Sequence, residues 1–560
     1  MNARRHSGGK SRKAAALLLS AAMVSLSVLS ACGKSEETGG AEASASPQAN
    51  SSASAEPAAN TMPIVKDGSV TLTFMGNENF YAAKSYKQNL PVWQEIEKRT
   101  GVKTIWDVTP SSQYVKVAGV RVAAAKDLPD IMLVPQDPVK TAEDGLIIPL
   151  DGLIDKHAPN IKKFFKENPI LHNRLKAPDG KLYFISSITD GAAYTDPIGL
   201  LLRKDWLEKL DLQEPRTLDE WYAVLKAFKD RDPNGNGKPD EIPLSFANHG
   251  MNGLTMFASA LNLHFFYSQG FYPDKNGKIQ FEWADPRAKE LLVWLNKLYS
   301  EGLIDPEFLT KKDDALVGNI SRDMVGSSVN FLNQADRYNA AQKQSGSDKA
   351  SWMLALPPTG KDSKGYYEKY GPFSGYFAIS STSKNPEVAI KWLDYIYASE
   401  EGSRLVHFGI EGTSYNMVNG QPEFTDFVKK NPEGLDAVSA LRSIGAYPTV
   451  PWIRSQKGFT SLQPQALLKL NPVLAEQAKR IETSLVDAVP FGFASPKENE
   501  EVSTTVSADF KTYLDETLVK FVTGKEPLDN FDKFTAKLQS MGLAKLLELK
   551  QKQYDRATKK

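Results

Sequence analysis

The only cysteine in the 560 residues is Cys32. A long chain with one thiol has no partner for an internal disulfide and no set of thiolates for a metal, so its fold must stand on a hydrophobic core. The supply is ordinary for a globular protein: 41% of residues are hydrophobic and 10% aromatic. Roughly 500 residues follow position 62, too many for one core, so two lobes or more are expected.

The position of that cysteine carries a second message. Arg4, Arg5, Lys10, Arg12 and Lys13 precede an apolar run over residues 14–31, and no acid occurs before Glu36. Charge, apolar run and small residues in this order form the layout of a secretory signal. A membrane-spanning helix needs about 20 apolar residues, and this run is slightly short and serine-rich near its end. Leu29-Ser30-Ala31-Cys32 resembles a bacterial lipobox. The resemblance implies cleavage after residue 31, diacylglyceryl transfer to the Cys32 thiol, and anchoring on the outer face of the cell membrane. Removing residues 1–31 takes away five positive charges and no negative ones, so the formal charge falls from +1 to −4. Basic and acidic residues are otherwise interspersed, which excludes the Lys/Arg block that nucleic-acid binding needs. No later stretch has the length of a membrane span. Residues 32–62 hold the lipidated cysteine and then almost only Gly, Ser, Ala, Pro, Asn and Glu, a composition that stays disordered and serves as a flexible spacer.

Beyond the spacer the pattern is α/β. Val70-Thr71-Leu72-Thr73-Phe74-Met75 alternates like a strand; Val92, Trp93 and Ile96 mark a helix stopped by Gly101; residues 102–108 and 130–134 read as further strands. Strand, helix, strand argues for a βαβ unit in a parallel sheet. Residues 198–202 form another apolar strand. Thr217-Leu218-Asp219-Glu220 is a capping box, and its helix carries Leu218, Trp221, Leu225 and Phe228. Asp285-Pro286 and Asn385-Pro386 open two more helices, and from about Glu498 the chain reads as helices to its end.

Several phrases in this order resemble the extracellular solute-binding proteins of ABC importers, particularly the long Gram-positive lipoprotein receptors for oligosaccharides. They are residues 199–206 (GLLLRKDW) with the capped helix, 302–307 (GLIDPE), 375–399 (GYFAISSTSKNPEVAIKWLDYIYAS) with 409–412 (GIEG), 521–524 (FVTG) and 529–554. The resemblance implies a two-lobed periplasmic-binding-protein-like fold with hinge-linked lobes and an extended helical C-terminal region. Residues 63–195 would form the first part of lobe 1, 196–370 lobe 2, 371–450 the return to lobe 1, and 451–560 a mixed region packing mostly on lobe 2. A monomer is implied, delivering an oligosaccharide to permease subunits in the membrane, with no catalysis of its own. A lipid-anchored polysaccharide hydrolase or lyase is the alternative.

The sharpest local motif is 232–241 (DPNGNGKPDE). Ca²⁺ takes six to eight oxygens, and side-chain oxygens at alternate positions of a tight loop converge on one centre. Asp232, Asn234, Asn236 and Asp240 fall at positions 1, 3, 5 and 9 of the EF-hand pattern, with the Lys238 carbonyl at 7. Position 12 is Pro243, so Glu241 must supply the missing carboxylate. A similar helix–loop–strand site in alginate-oligosaccharide-binding members of the family supports that assignment and a structural role for the ion. A metal-free Asx- and Gly-rich turn is the competing reading.

Catalytic signals are thin. The histidines (His6, His157, His172, His249, His264, His407) form no HExxH pair, and neither GxSxG nor GxxxxGK[ST] occurs. For binding, a sugar needs aromatic platforms and planar polar groups, placed beyond the carboxyl ends of strands. Asn77, Glu78, Gln136 and Asp137 are the first-lobe candidates. Trp206, Asn248, Trp352, Tyr376, Glu411, Trp452 and Arg454 are loop or strand-end candidates; the alternative reading is core for Trp206 and Trp352 and a solvated loop acid for Glu411.

Overall fold

In the computed structural model, residues 61–558 are described apart from 82, 190–195, 348 and 455–461. The leader, Cys32 and nearly all of the spacer lie outside the described residues.

Leu72 and Phe74 bury alternately along β1 (Val70–Asn77), which leads into the helix Pro91–Thr100. That helix starts on a proline at its first position and ends at Gly101, whose φ of 68° is the left-handed cap that glycine adopts without strain. The chain returns as β2 (Val102–Thr109), parallel to β1, and then as β3 (Ile131–Leu133) on the other side of β1, also parallel. β4 (Ile185–Thr189) completes this passage through the first lobe.

The chain then crosses to β5 (Ile198–Arg203), every residue of which is buried. β6 (Ile242–Leu244), the hairpin of β7 (Phe271–Pro273) and β8 (Ile279–Phe281), β9 (Val325–Phe331) and β10 (Trp352–Leu354) follow. The second sheet runs in the order β10-β5-β9-β6. β5 is antiparallel to both its neighbours, and β6 is parallel to β9.

Through β11 (Tyr367–Lys369) the chain recrosses to β12 (Phe373–Ile379), which inserts antiparallel between β4 and β3. A hairpin of β13 (Tyr415–Val418) and β14 (Gln421–Phe424) and then β15 (Ile453–Arg454) follow. The first sheet therefore reads β15-β4-β12-β3-β1-β2. A last short strand, β16 (Leu485–Asp487), pairs with β11.

Each sheet has its own core. Around the first, Phe74, Tyr86, Trp93, Trp106 and Trp392 form a connected aromatic group, with Trp93 and Trp106 at 4.6 Å. Around the second lie Trp206, Trp221, Phe228 and Phe257. The C-terminal region belongs to both. Ile481, Phe510, Phe521 and Phe534 join the second core, while Phe493 packs on Phe184 and Tyr376 of the first lobe. Arg556, in the last helix (Leu543–Thr558), donates to the Phe493 carbonyl and to Glu498, tying that segment down. No helix among the described residues is long and apolar enough to cross a membrane.

Candidate functional site

In an open α/β sheet, ligands sit outside the carboxyl ends of the strands, where loops diverge and leave a crevice. In the first lobe a single extended segment crosses that edge. It begins at the helix Ala437–Ser443, whose end is held by Val92 donating to the Ile444 carbonyl. Tyr447 N–H donates to Val406 O at 2.8 Å. Thr449 Oγ1 donates to the carbonyl of Asn77, at the end of β1 (2.8 Å), and Thr449 N–H to the buried Tyr86 hydroxyl (3.0 Å). Finally Ile188 N–H in β4 donates to Trp452 O at 2.7 Å. Residues 446–454 thus run from β1 to β4 across the carboxyl edge.

Side chains along this segment form a ladder of rings and guanidinium groups. The Arg442 guanidinium lies 5.2 Å from the ring centres of both Phe80 and Tyr447; that of Arg454 lies 4.4 Å from Tyr447 and 4.9 Å from Trp452. Phe80, on the loop after β1, is 55% exposed. Burial, with Arg454 nearby, pushes the Arg442 guanidinium below its usual range. His407 behind the ladder is fully enclosed; burial and then the Arg454 charge hold it down to about 3, so it is neutral throughout the physiological range.

The second-lobe edge lies beyond β6 and β9. Asn248 is exposed there with φ 64°, beside half-buried His249, which burial holds below its usual range. Phe331 ends β9 and is 37% exposed. Asn333 N–H and its side-chain amide donate to Asp196 at 2.8 and 2.6 Å, and burial raises the Asp196 carboxyl to about 6. Beside the crossing strands, a cavity of about 380 Å³ is lined by Arg174, Thr189, Tyr370, Pro372 and Asp487 among others.

Of the residues anticipated from sequence, Asn77 at one end and the Trp452–Arg454 pair at the other lie along the first-lobe edge, and Asn248 stands on the second. Glu78 is occupied: its carboxylate accepts from Asn79 N–H (2.8 Å), Ser85 hydroxyl (2.6 Å) and Tyr86 N–H (3.2 Å), organising the loop. Asp137 is the N-cap of Pro138–Glu143, and Gln136 is exposed next to it. Tyr376 lies within β12, its ring edge-on to both Phe184 and Phe493 in a three-ring cluster. Glu411 is exposed at the base of the β13–β14 hairpin.

Trp206 and Trp352 are core residues, 1% and 2% exposed, which corrects their candidacy as platforms. β5 enters the second lobe from the crossing and runs antiparallel to β9, so its carboxyl end, where Trp206 sits, points away from the edge. Trp352 opens β10 opposite Arg203, at that same far end, with its Nε1 donating to Gln342 at 2.7 Å. Phe80, Arg442, Tyr447 and Phe331 were missed. The stretch YPTVPW at 447–452, two aromatics and two prolines flanked by Arg442 and Arg454, was the available signal.

The loop at 232–241 closes on itself. Against the cost of burial, Gly237, Gly235 and Asn236 N–H groups hold Asp232 below its usual range. Asn234 and Asn236 side-chain amides both donate to Asp240 at 3.1 Å. Burial, then the charges of Asp232 and Asp240, raise Glu241, whose carboxyl meets that of Asp232 and whose Oε1 is buried with no hydrogen-bond partner among the described residues. Apposed carboxylates and an orphaned buried oxygen fit a bound cation. No cluster of three His, Cys, Asp or Glu suited to a metal occurs among the described residues, so an ion here would depend on the asparagine oxygens too.

The profile of the bacterial extracellular solute-binding protein family matches residues 82–402, more than half of the chain. The chain belongs to this family. Among curated proteins it is similar to the fructooligosaccharide ABC transporter substrate-binding protein FusA of Streptococcus pneumoniae, 27% identical over 96% of this chain and 97% of that one. It is also similar to the polygalacturonan/rhamnogalacturonan-binding protein YtcQ of Bacillus subtilis, 25% identical over 81% and 86%. Among solved structures, the alginate-binding protein AlgQ2 without calcium ion superposes with a TM-score of 0.67 at 25% identity, covering 88% of this chain and 99% of that one. The S. pneumoniae FusA EF-hand mutant in complex with fructo-nystose has the same fold, with a TM-score of 0.67 at 23% identity, covering 87% of this chain and 99% of that one. The fold is the two-lobed one of these solute-binding proteins.

Proposed function

We propose that the protein is the lipid-anchored receptor of an ABC importer, capturing an oligosaccharide between its lobes and handing it to permease subunits in the membrane. The observation that carries the reading is the first-lobe edge, where one extended segment lays aromatic faces and planar guanidinium groups across the carboxyl ends of the strands. Sugar rings are recognised by such pairs of stacking faces and polar forks. The names of FusA, YtcQ and AlgQ2, each a binder of a saccharide, support the ligand class. Cys32 supplies the anchor and residues 33–62 the tether.

The loop at 232–241 holds a structural Ca²⁺, with Asp232, Asn234, Asn236, Asp240 and Glu241 as side-chain ligands and the Lys238 carbonyl completing the set. The bound ion neutralises the apposed acids and braces the junction between the helix Leu218–Asp230 and β6.

The test is a calorimetric screen of the full chain against a panel of oligosaccharides, followed by chromatography of the recovered sugar. One ligand per chain, recovered intact, is the expected result. Shortened or unsaturated products accumulating over many turnovers would replace the receptor with an enzyme.

A further inference from the structure

Several buried and half-buried arginines of this protein meet carboxylates: Arg203 with Asp205 and Asp323, Arg480 with Glu214, Arg556 with Glu498; half-buried Arg216, by contrast, has a buried Nε with no hydrogen-bond partner among the described residues. Pairing is the expected arrangement, because a guanidinium removed from water without a counter-charge is costly. Arg442 and Arg454 depart from it. Neither makes an ion pair among the described residues, and the Nε of each is buried with no hydrogen-bond partner there. Trp452 Nε1, beside Arg454, is likewise buried and unpartnered.

Among the described residues, the nearby acids accept their hydrogen bonds from other groups, although the Asp436 charge still acts on Arg442. Glu78 spends its carboxylate on Asn79, Ser85 and Tyr86. Asp436 caps its own helix, accepting from Val438 and Ser439 N–H groups and the Ser439 hydroxyl. His407 is neutral. Two cations therefore share the Tyr447 ring, and neither has an ion-pair partner among the described residues. Tyr447 itself holds φ 53°, a left-handed conformation that a bulky side chain seldom adopts. Such strain persists only where the surroundings impose it, and it gathers at ligand sites.

We propose that this ladder is a subsite for an acidic sugar: the Arg442 and Arg454 guanidinium groups receive the carboxylate of a uronic acid residue, and Phe80, Tyr447 and Trp452 flank its ring and neighbours. The inference rests on the receptor reading and narrows its ligand class. A carboxylate suits the site because it offers a planar pair of acceptors to a planar fork of donors and supplies the ion-pair partner that no described residue gives these guanidinium groups. A neutral sugar would offer neither guanidinium group an ion-pair partner.

The test uses the full chain with oligomers of galacturonate, glucuronate and mannuronate, each paired with its neutral methyl ester, and 1-kestose as a neutral sugar of another class. At least one uronate oligomer should bind at least tenfold more tightly than its ester, and binding should weaken between 0.05 and 0.5 M salt, probe conditions set by the roughly threefold change in Debye length they span. Arg442→Gln and Arg454→Gln should each cost tenfold or more on the uronate, and Arg442→Lys, which keeps the charge and loses the fork, should cost less than Arg442→Gln. Unchanged uronate affinity in both glutamine variants would overturn the subsite. Preference for kestose or for the esters would overturn the acidic ligand while leaving the receptor standing. If neither class binds, the receptor reading for sugars fails and the subsite with it. Circular-dichroism melts of Arg442→Lys and Arg454→Gln separate lost recognition from lost folding.

Discussion

At the residue scale, Trp206 and Trp452 separate what a tryptophan does in a core from what it does at an edge. Trp206 meets Phe228 edge-on at 5.2 Å and lies under Arg203 at 4.6 Å. Replacing it by alanine should destabilise the protein by about 3–5 kcal/mol in a denaturant titration. Trp452→Ala should instead leave stability within about 1 kcal/mol and weaken ligand binding severalfold. His407 gives a prediction in pH. Its folded pKa, about 3, lies below the unfolded value, so between these values the unfolded chain binds the extra proton. The contribution of neutral His407 is complete above about pH 6.5 and is lost as pH falls toward 3, at up to about 1.4 kcal/mol per pH unit. Asp196, raised to about 6, works with the opposite sign, so the measurement is the difference between wild type and His407→Gln across pH 4–7. The variant should show the shallower loss on acidification; parallel curves would remove His407 from the account.

At the scale of elements, local chemistry was largely legible. The Thr217–Glu220 capping box makes both of its bonds, and Asp285 caps Pro286–Ser300 through Arg287 N–H at 2.9 Å. Asn385 makes no side-chain cap bond, although Pro386 still opens its helix. The strands at 70–75, 102–108 and 198–202 lie where alternation and apolar runs put them, because side-chain period follows from backbone geometry. Strand direction was not legible. It depends on where the chain enters each lobe, and that misplaced Trp206 and Trp352. The ladder escaped because Phe80 lies more than 360 residues before Arg442, a proximity that no local pattern encodes. For the loop, calcium should raise the melting temperature of the chain, by mass action worth roughly 3 kcal/mol at a hundredfold excess over the dissociation constant. Asp232→Ala should abolish most of that rise, and Glu241→Gln should reduce it. No shift in millimolar calcium, with no metal retained after dialysis, would refute the site.

At the scale of the whole molecule, two sheets with separate cores are joined through β4 to β5, through β10 and β11 to β12, and through the segment carrying β16. A ligand touching both edges favours the arrangement in which they approach, and it shifts that equilibrium only by its differential affinity for the closed state. The proposed anchor belongs to this scale as well: Cys32→Ala should abolish acylation and release the protein from the membrane fraction, since the sequence has no second thiol to take its place. Closure on one intact ligand is read by small-angle X-ray scattering of the full chain, titrated with the sugar that the calorimetric screen selects. The radius of gyration should fall with ligand and reach its limit at one sugar per chain. A radius unchanged at saturation would rule closure out.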